Sequence, residues 1–277
     1  MAYDMMETIG SSLIQHGKYN DRVYLMKYKP DPDVDMVQIL DALVKENRYT
    51  KVFAKIPEKH LSVFHDTQYE EEARIPNYFL DDDDCLFLSR YFSSERSVLT
   101  HKAQIADTLA LCEKQKGKPS ASTGHLFALR KAGMNDAPLL AGLYKQVFDS
   151  YPFPIMEPDY IRRTMRENIE YFIVQEGDVI VAASSAEKDM ETRSVEMTDF
   201  ATLPTYRRKG IANQLLAHME GAMREQRLKT AYTIARALSV GMNLTFAKNQ
   251  YAYGGTLINN TYIAGSIESM NVWYKHL

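Results

Sequence analysis

The sequence predicts an α/β protein in two parts, the second a mixed sheet with helices on both faces. Three observations carry that reading. Beyond residue 123, strand-type alternation and helix-type spacing of apolar residues follow one another in the order β-α-α-β-β-β-α-β-α-β-β. The polar stretch EKQKGKPSAS (113–122) breaks the pattern and sets a boundary near residue 118, giving parts 1–118 and 119–277. At 277 residues, 45% hydrophobic and 25% charged, the chain can bury a core in each part.

In the first part, RVYLMKY (22–28) is strand-like. Residues 31–49 predict a helix, with Val34, Val37, Leu40, Leu43 and Val44 on one broad face. TKVFAKI (50–56) is a strand, PEKHLSVF (57–64) a helix and CLFLSRYF (85–92) a closing strand. The acidic run from Asp81 to Asp84 reads as a solvated turn before that strand. It lacks the glycine and alternating ligands of a calcium loop.

In the second part, HLFALRKA (125–132) is strand-like. A helix follows, with Asn135 or Asp136 as N-cap, Pro138 in its first turn and Leu139, Leu140, Leu143, Tyr144, Val147 and Phe148 at helical spacing. The loop YPFPIMEP (151–158) precedes a short helix over 159–168. YFIVQEGDVIVAASSAE predicts a hairpin turning at Glu176-Gly177-Asp178. SVEMTDFATL (194–203) is a strand stopped by Pro204, and Ile211, Leu215, Leu216, Met219 and Met223 mark one face of the next helix. TAYTIAR (230–236) is a strand, a helix covers 240–251, and closing strands sit near 256–264 and 269–275.

A formal net charge of -3 gives no global attraction to nucleic acid or acidic lipid, so neither is expected as a partner. The two cysteines, Cys85 and Cys112, have no metal-ligand spacing, and the histidines are scattered. No metal is expected. The N-terminal MAYDMMETIG has no basic, apolar leader pattern, and no apolar run approaches the roughly 20 residues of a membrane span. A cytoplasmic location is the expectation.

The stretch YRRKGIANQL (206–215) places three cations and Gly210 between a strand and an amphipathic helix. The first amides of a helix lack internal partners, and its dipole makes that end positive. Gly210 permits close approach of a ligand and Ala212 leaves the next turn unobstructed. Such a site suits a pyrophosphate, with Arg207, Arg208 and Lys209 adding charge and Ile211 supplying another amide. A solvated helix start is the alternative reading.

Arg207 to Ala212 fits the Arg/Gln-x-x-Gly-x-Gly/Ala motif, and on it residues 123–277 resemble the GNAT superfamily of acyl-CoA-dependent N-acetyltransferases. The resemblance implies a GNAT fold, a mixed, splayed β-sheet flanked by helices, with acetyl-CoA as co-substrate. It implies that the strand end Phe200-Ala201-Thr202 pairs through its backbone with the pantetheine arm. EMTDFATLPTYRRKGIA, TAYTIARA, GMNLTFAKNQYAYGGTLINN and ESMNVWYK are similar to the β-lysine N6-acetyltransferase family. Those enzymes make Nε-acetyl-β-lysine, a compatible solute, so the implied partner is a small-molecule amine. The elements of residues 1–112 mimic the second half of a GNAT domain without its cofactor loop, as a degenerate GNAT-like or otherwise α/β domain.

The reaction needs a neutral amine, whereas a lysine-type ammonium has a pKa of about 10.4. Glu196, eleven residues before Arg207, stands where many GNAT enzymes carry a base, acting directly or through water. An exposed strand carboxylate or a substrate counter-ion is the alternative. Asp199 faces away from Glu196 under strict alternation unless a bulge intervenes; it is structural or pairs with a substrate ammonium. Ala247, Tyr251 and Gly255 fit an Ala-x-x-x-Tyr-x-x-x-Gly register in which the tyrosine protonates the departing thiolate, with Tyr253 a near neighbour. Asn243 resembles a helix asparagine that contacts pantetheine, with helix capping as its alternative. Arg236 is a candidate carboxylate clamp or a snorkelling strand-end arginine. The 151–158 loop is expected to cover the acceptor, with Tyr151 and Glu157 as contacts. With both cysteines in the first part and no Ser-His-Asp context, direct attack in a ternary complex is favoured.

Overall fold

The computed structural model describes residues 3–65, 67–118 and 127–277. In chain order its elements begin with β1 (Met5–Ile9), β2 (Ser12–Gly17), β3 (Arg22–Lys27), α1 (Met36–Asn47), β4 (Lys51–Pro57), α2 (Leu61–Phe64) and β5 (Glu70–Ile75). Then come β6 (Cys85–Tyr91), α3 (Ser94–Ser97), α4 (Lys102–Gln115), β7 (Leu129–Lys131), α5 (Ala137–Val147), α6 (Pro158–Glu167) and β8 (Ile169–Glu176). The chain finishes with β9 (Val179–Asp189), β10 (Ser194–Thr202), α7 (Ile211–Glu225), β11 (Thr230–Arg236), α8 (Val240–Lys248), β12 (Ala252–Ile263) and β13 (Ser266–His276). The element order from β7 onward is the one the sequence predicts. Among the described residues no helix is long and apolar enough to cross a membrane.

Two compact units form, neither of them continuous in sequence. The first is Met1–Lys102 with Gly254–Met270, and the second is Ala103–Tyr253 with Asn271–Leu277. The seam thus differs from the expected boundary near residue 118. Helix α4 runs through residues 113–115 of the expected linker and belongs with the second unit. Its apolar residues are sparse among polar ones, and of the whole helix only Ile105, Thr108 and Cys112 are buried, which left no broad stripe to read. Residues 119–126, which hold positions 119–122 of the expected linker and the start of the strand expected at 125–132, lie outside the described residues.

In the first unit the strands neighbour one another as β1-β2-β3-β4-β6-β5-β12. Strands β3 and β4 are parallel, and the other described pairs are antiparallel. Asp35 caps α1 by accepting from the Gln38 amide at 3.1 Å, and Arg48 ends it in the left-handed region. Met36, Leu40 and Val44 bury one helix face against Val23, Leu25, Val52 and Ala54. The β1–β2 hairpin and β5 were not foreseen, because MMETI and EEEARI show no clean apolar alternation. The acidic run forms a 3-10 turn over Leu80–Asp82, after which Asp84 binds Arg74 at 2.8 Å. Lys51 is fully buried and donates to Glu72 at 2.9 Å and to the Ile258 carbonyl at 2.7 Å. Burial pushes its ammonium down to about 8, against the pull of Glu72.

In the second unit the strand order is β13-β11-β10-β9-β8-β7. Ile211, Leu215, Leu216, Met219 and Met223 of α7 pack with Val195 and Met197 of β10 on one face. The opposite face meets α5 and α6, where Tyr171 of β8 and Thr164 of α6 share a hydroxyl bond of 2.9 Å. Two faces of one mixed sheet are therefore used differently. One is dry core, and the other carries polar side chains beneath two helices.

Candidate functional site

Strands β10 and β11 are paired only at their beginnings. Their parallel ladder covers Ser194 with Thr230, Val195 with Ala231 and Glu196 with Tyr232. Strand β10 then stays with β9 as far as Thr202 opposite Ala182, while β11 runs on to Arg236. Beyond Glu196 and Tyr232 the two strands part, so backbone groups of Phe200, Ala201 and Thr202 on that side have no β11 partner in the ladder. Glu196, half-buried, stands at the vertex of this fork. The Phe200 ring meets Phe246 of α8 edge-on at 5.6 Å.

The mouth of the fork is the basic loop. A short 3-10 turn over Pro204–Tyr206 leads to Arg207, and Arg208 and Gly210 both have positive φ, 64° and 78°. Gly210 is the N-cap of α7, with no side chain capping the helix. The start of α7 can thus offer helix-start amides such as that of Ile211 to an external acceptor. A Cβ placed on Gly210 meets nothing within 4 Å, so the space above the loop is open. Arg207, Arg208 and Lys209 are exposed. Arg207 Nε donates back to the Thr202 carbonyl at 3.2 Å, and Lys209 lies 4.5 Å over the Tyr206 ring. Ala212 is half-buried one turn into the helix.

On the α5/α6 face a β-bulge reorders β10. The register with β9 shifts between Thr198 and Ala201, and Asp199 takes a positive φ of 55°. Ser185 is opposite Thr198, and its hydroxyl donates to Asp199 at 2.5 Å. Asp199 therefore lies on the face of Thr198 and Glu196, not on the opposite face that strict alternation predicts. Its other oxygen accepts from the buried Tyr151 hydroxyl, which anchors the 151–158 loop. Burial pushes the Asp199 carboxyl up, although Ser185 and Tyr151 oppose the shift. Burial, then the neighbouring Asp199, holds the Tyr151 phenol well above its ordinary value.

Other predicted residues fall elsewhere. Tyr251 is fully buried, beyond the end of α8, with Phe246 at 5.0 Å and the Lys275 ammonium 5.6 Å over its ring. Burial and then Glu220 push its phenol well above its usual value. The predicted helix 240–251 stops at Lys248, and Gln250 turns the chain with a φ of 68°. Phe246 lies between Tyr251 and Phe200 at the strand end. For Tyr251 as donor to the departing thiolate, the expectation is that Tyr251→Phe lowers kcat roughly 10²–10⁴-fold, the range for a removed general acid. Steady-state rates with saturating acetyl-CoA check it.

Asn243 follows the end of β11 in α8. It is fully buried, donating to the carbonyls of Arg236 at 3.0 Å and Ser239 at 2.8 Å. Its oxygen accepts from Asn271 at 2.9 Å and Trp273 Nε1 at 2.8 Å. The side chain braces the end of β11. Arg236 is half-buried at that end, two and four positions beyond Ile234 and Tyr232. Tyr253 is exposed and edge-on to Trp273 at 5.5 Å, and Glu157 is exposed at the N-cap of α6.

The sequence reading missed Glu187. It sits directly opposite Glu196 across β9 and β10. A tight hairpin through residues 190–193 sets that register, and reading DMETR as its turn would have paired the two carboxylates.

The forked sheet and uncapped, basic helix start define an acyl-CoA-dependent N-acetyltransferase of the GNAT class. The sequence profile described as the Acetyltransferase (GNAT) family matches residues 140–242. The beta-lysine N(6)-acetyltransferase of Methanococcus maripaludis is 39% identical over 267 residues, covering 96% of this chain and 97% of that one. That of Methanosarcina mazei is 31% identical, covering 86% and 95%. The N-acetyltransferase YodP of Bacillus subtilis is 30% identical, covering 99% and 100%. The chain belongs to the family of these beta-lysine N(6)-acetyltransferases.

Proposed function

We propose that this protein moves the acetyl group of acetyl-CoA to the N6 amine of β-lysine by direct attack in a ternary complex. The observation that carries the reading is the fork: Glu196 at its vertex and the uncapped start of α7 at its mouth. The pyrophosphate of CoA accepts from the first amides of α7, with Arg207, Arg208 and Lys209 adding charge. The pantetheine arm pairs with the β10 edge at Phe200-Ala201-Thr202, which β11 leaves uncovered. Glu196 takes a proton from the acceptor ammonium, directly or through water. The neutral amine attacks the thioester carbonyl, the C–S bond breaks, and the nitrogen releases its second proton to water as the amide forms. The departing CoA thiolate takes a proton from the Tyr251 phenol, which water restores.

Asp199 holds Tyr151, and through it the loop over the acceptor, while Arg236 meets the substrate carboxylate. The product trades an ammonium for a neutral amide. β-Lysine with a net charge of +1 becomes a neutral zwitterion, a form suited to accumulation as a compatible solute.

The first unit reads as a degenerate GNAT-like domain. Its parallel β3/β4 pair, followed by antiparallel β6 and β5, repeats the parallel β10/β11 pair of the catalytic unit. The β3/β4 ladder covers four residue pairs, and a non-basic segment leads into α1.

The test is a panel of amines with acetyl-CoA, followed by CoA release. β-Lysine is expected to give the highest kcat/KM, with a single acetyl group on N6 by mass and NMR analysis. Equal turnover of α-lysine, spermidine and peptide lysines overturns the acceptor assignment. A covalent acetyl-enzyme in single turnover without amine overturns direct attack.

A further inference from the structure

Strands β10 and β11 run parallel and are joined at one end only, by the ladder from Ser194–Thr230 to Glu196–Tyr232. Backbone N–H and C=O groups need partners, and extending that ladder along the facing edges would supply them and close the fork. Each prong must therefore be held from its outer side. Strand β10 is held by β9, with Ala201 opposite Ala183 and Thr202 opposite Ala182. The matching tie on β11 is a side chain.

Asn243 supplies it. The residue is fully buried in the first turn of α8, and its side-chain nitrogen donates to the carbonyls of Arg236 at 3.0 Å, Ala237 at 3.5 Å and Ser239 at 2.8 Å. The Arg236 carbonyl also accepts from the Ser239 amide at 3.0 Å, so both of its lone pairs are spent within the turn that ends β11. The Asn243 oxygen accepts from Asn271 at 2.9 Å and from Trp273 Nε1 at 2.8 Å. Both donors belong to β13, the neighbour of β11 on the side away from β10. One turn further along α8, Phe246 is also fully buried and meets Phe200 of β10. Residues three apart share a helix face, so one face of α8 touches both prongs.

Resting on the reading of the fork as the pantetheine slot, we infer that Asn243, Asn271 and Trp273 are positioning residues for acetyl-CoA. They pin the end of β11 to β13 while Phe246 props β10, and this bracket keeps the slot open. The pantetheine arm enters a gap already shaped for it, and binding gains the cost of parting two strands that it no longer meets. The pyrophosphate cradle at the start of α7 is a separate element, built by the loop through Gly210. Loss of the bracket is therefore felt by the arm and not by the phosphates.

The test uses two ligands that differ only by the arm: CoA, and 3′-phosphoadenosine 5′-diphosphate, which keeps the adenosine and the pyrophosphate. Calorimetric titration of the parent is expected to show tighter binding of CoA. Trp273→Phe keeps an aromatic ring and removes one donor, leaving the bracket's polar groups incompletely paired. It is expected to weaken CoA binding about tenfold and to leave the diphosphate within about twofold. Asn243→Leu, similar in size and without hydrogen-bonding groups, is expected to weaken CoA further; thermal unfolding shows whether it folds, and Trp273→Phe decides if it does not. Unchanged CoA affinity in Trp273→Phe, or an equal loss for both ligands, overturns the bracket and leaves the slot reading standing. A parent that binds the two ligands alike overturns the slot reading itself, and the bracket with it.

Discussion

Glu196→Gln is expected to lower kcat roughly 10²–10⁴-fold, the range for loss of a positioned general base. The substitution keeps the shape of the side chain at the fork and removes its capacity to take a proton. The uncapped start of α7 lies at the other end of the fork, so KM for acetyl-CoA is expected to stay within about twofold, its phosphate contacts being untouched. The pH profile separates a base from a structural carboxylate. The acceptor ammonium has a pKa of about 10.4, so the fraction arriving already neutral grows tenfold per pH unit below that value. Turnover by the variant should climb with pH accordingly, and the deficit against the parent should narrow. A deficit constant from neutral to alkaline pH, or a loss shared equally by acetyl-CoA binding, removes Glu196 from the base role.

Gly255→Ala is expected to destabilise the protein by about 3 kcal/mol or more, since overpacking and backbone strain act together. Gly255 has a φ of 145°, a conformation costly for any residue with a Cβ. It pairs with Ala73 of β5, and an added Cβ would lie 2.6 Å from the Ala73 Cα and closer still to the Glu72 carbonyl. Both obstacles are backbone, so neither can rotate aside. Glu72 also binds Lys51 and the Ile258 amide, each at 2.9 Å, so separating β12 from β5 disturbs a buried ion pair. Thermal unfolding should show a fall in Tm of roughly 6–12 °C, taking ~2–4 °C per kcal/mol for a chain of this size. Parent-like Tm would mean that the two strands part without cost at this position. Gly255, the glycine of the Ala-x-x-x-Tyr-x-x-x-Gly register, thus sits at a close crossing of two strands.

Legibility followed the strength of local pattern. TAYTIAR coincides with β11, and the hairpin through Glu176-Gly177-Asp178 joins β8 to β9, because apolar alternation and turn residues are local signals. Strand β5 and the β1–β2 hairpin were missed for the converse reason. Their charged and mixed residues take strand geometry from partners distant in the chain, where tertiary pairing outweighs local propensity. Helix 240–251 was drawn too long, since Gln250 enters the left-handed region without a glycine to announce it. The site divides in the same way. The basic loop and Gly210 were evident as a contiguous motif, whereas the facing of Asp199 depended on a bulge that adds one residue to the alternation.

By itself the sequence determined the α/β order of the second part, the strand–loop–helix cradle around Gly210 and a family resemblance that the relatives bear out. These are properties of neighbours along the chain: period, turn chemistry and helix-start amides. Tertiary structure alone decided that β10 and β11 separate after Glu196, that Glu187 stands opposite it, and that Asn243 and Tyr251 turn into the interior. Each of these depends on pairing register or on the side from which another element packs. No spacing within a single segment encodes either, because register and packing are settled by the energy of the assembled sheet and its helices.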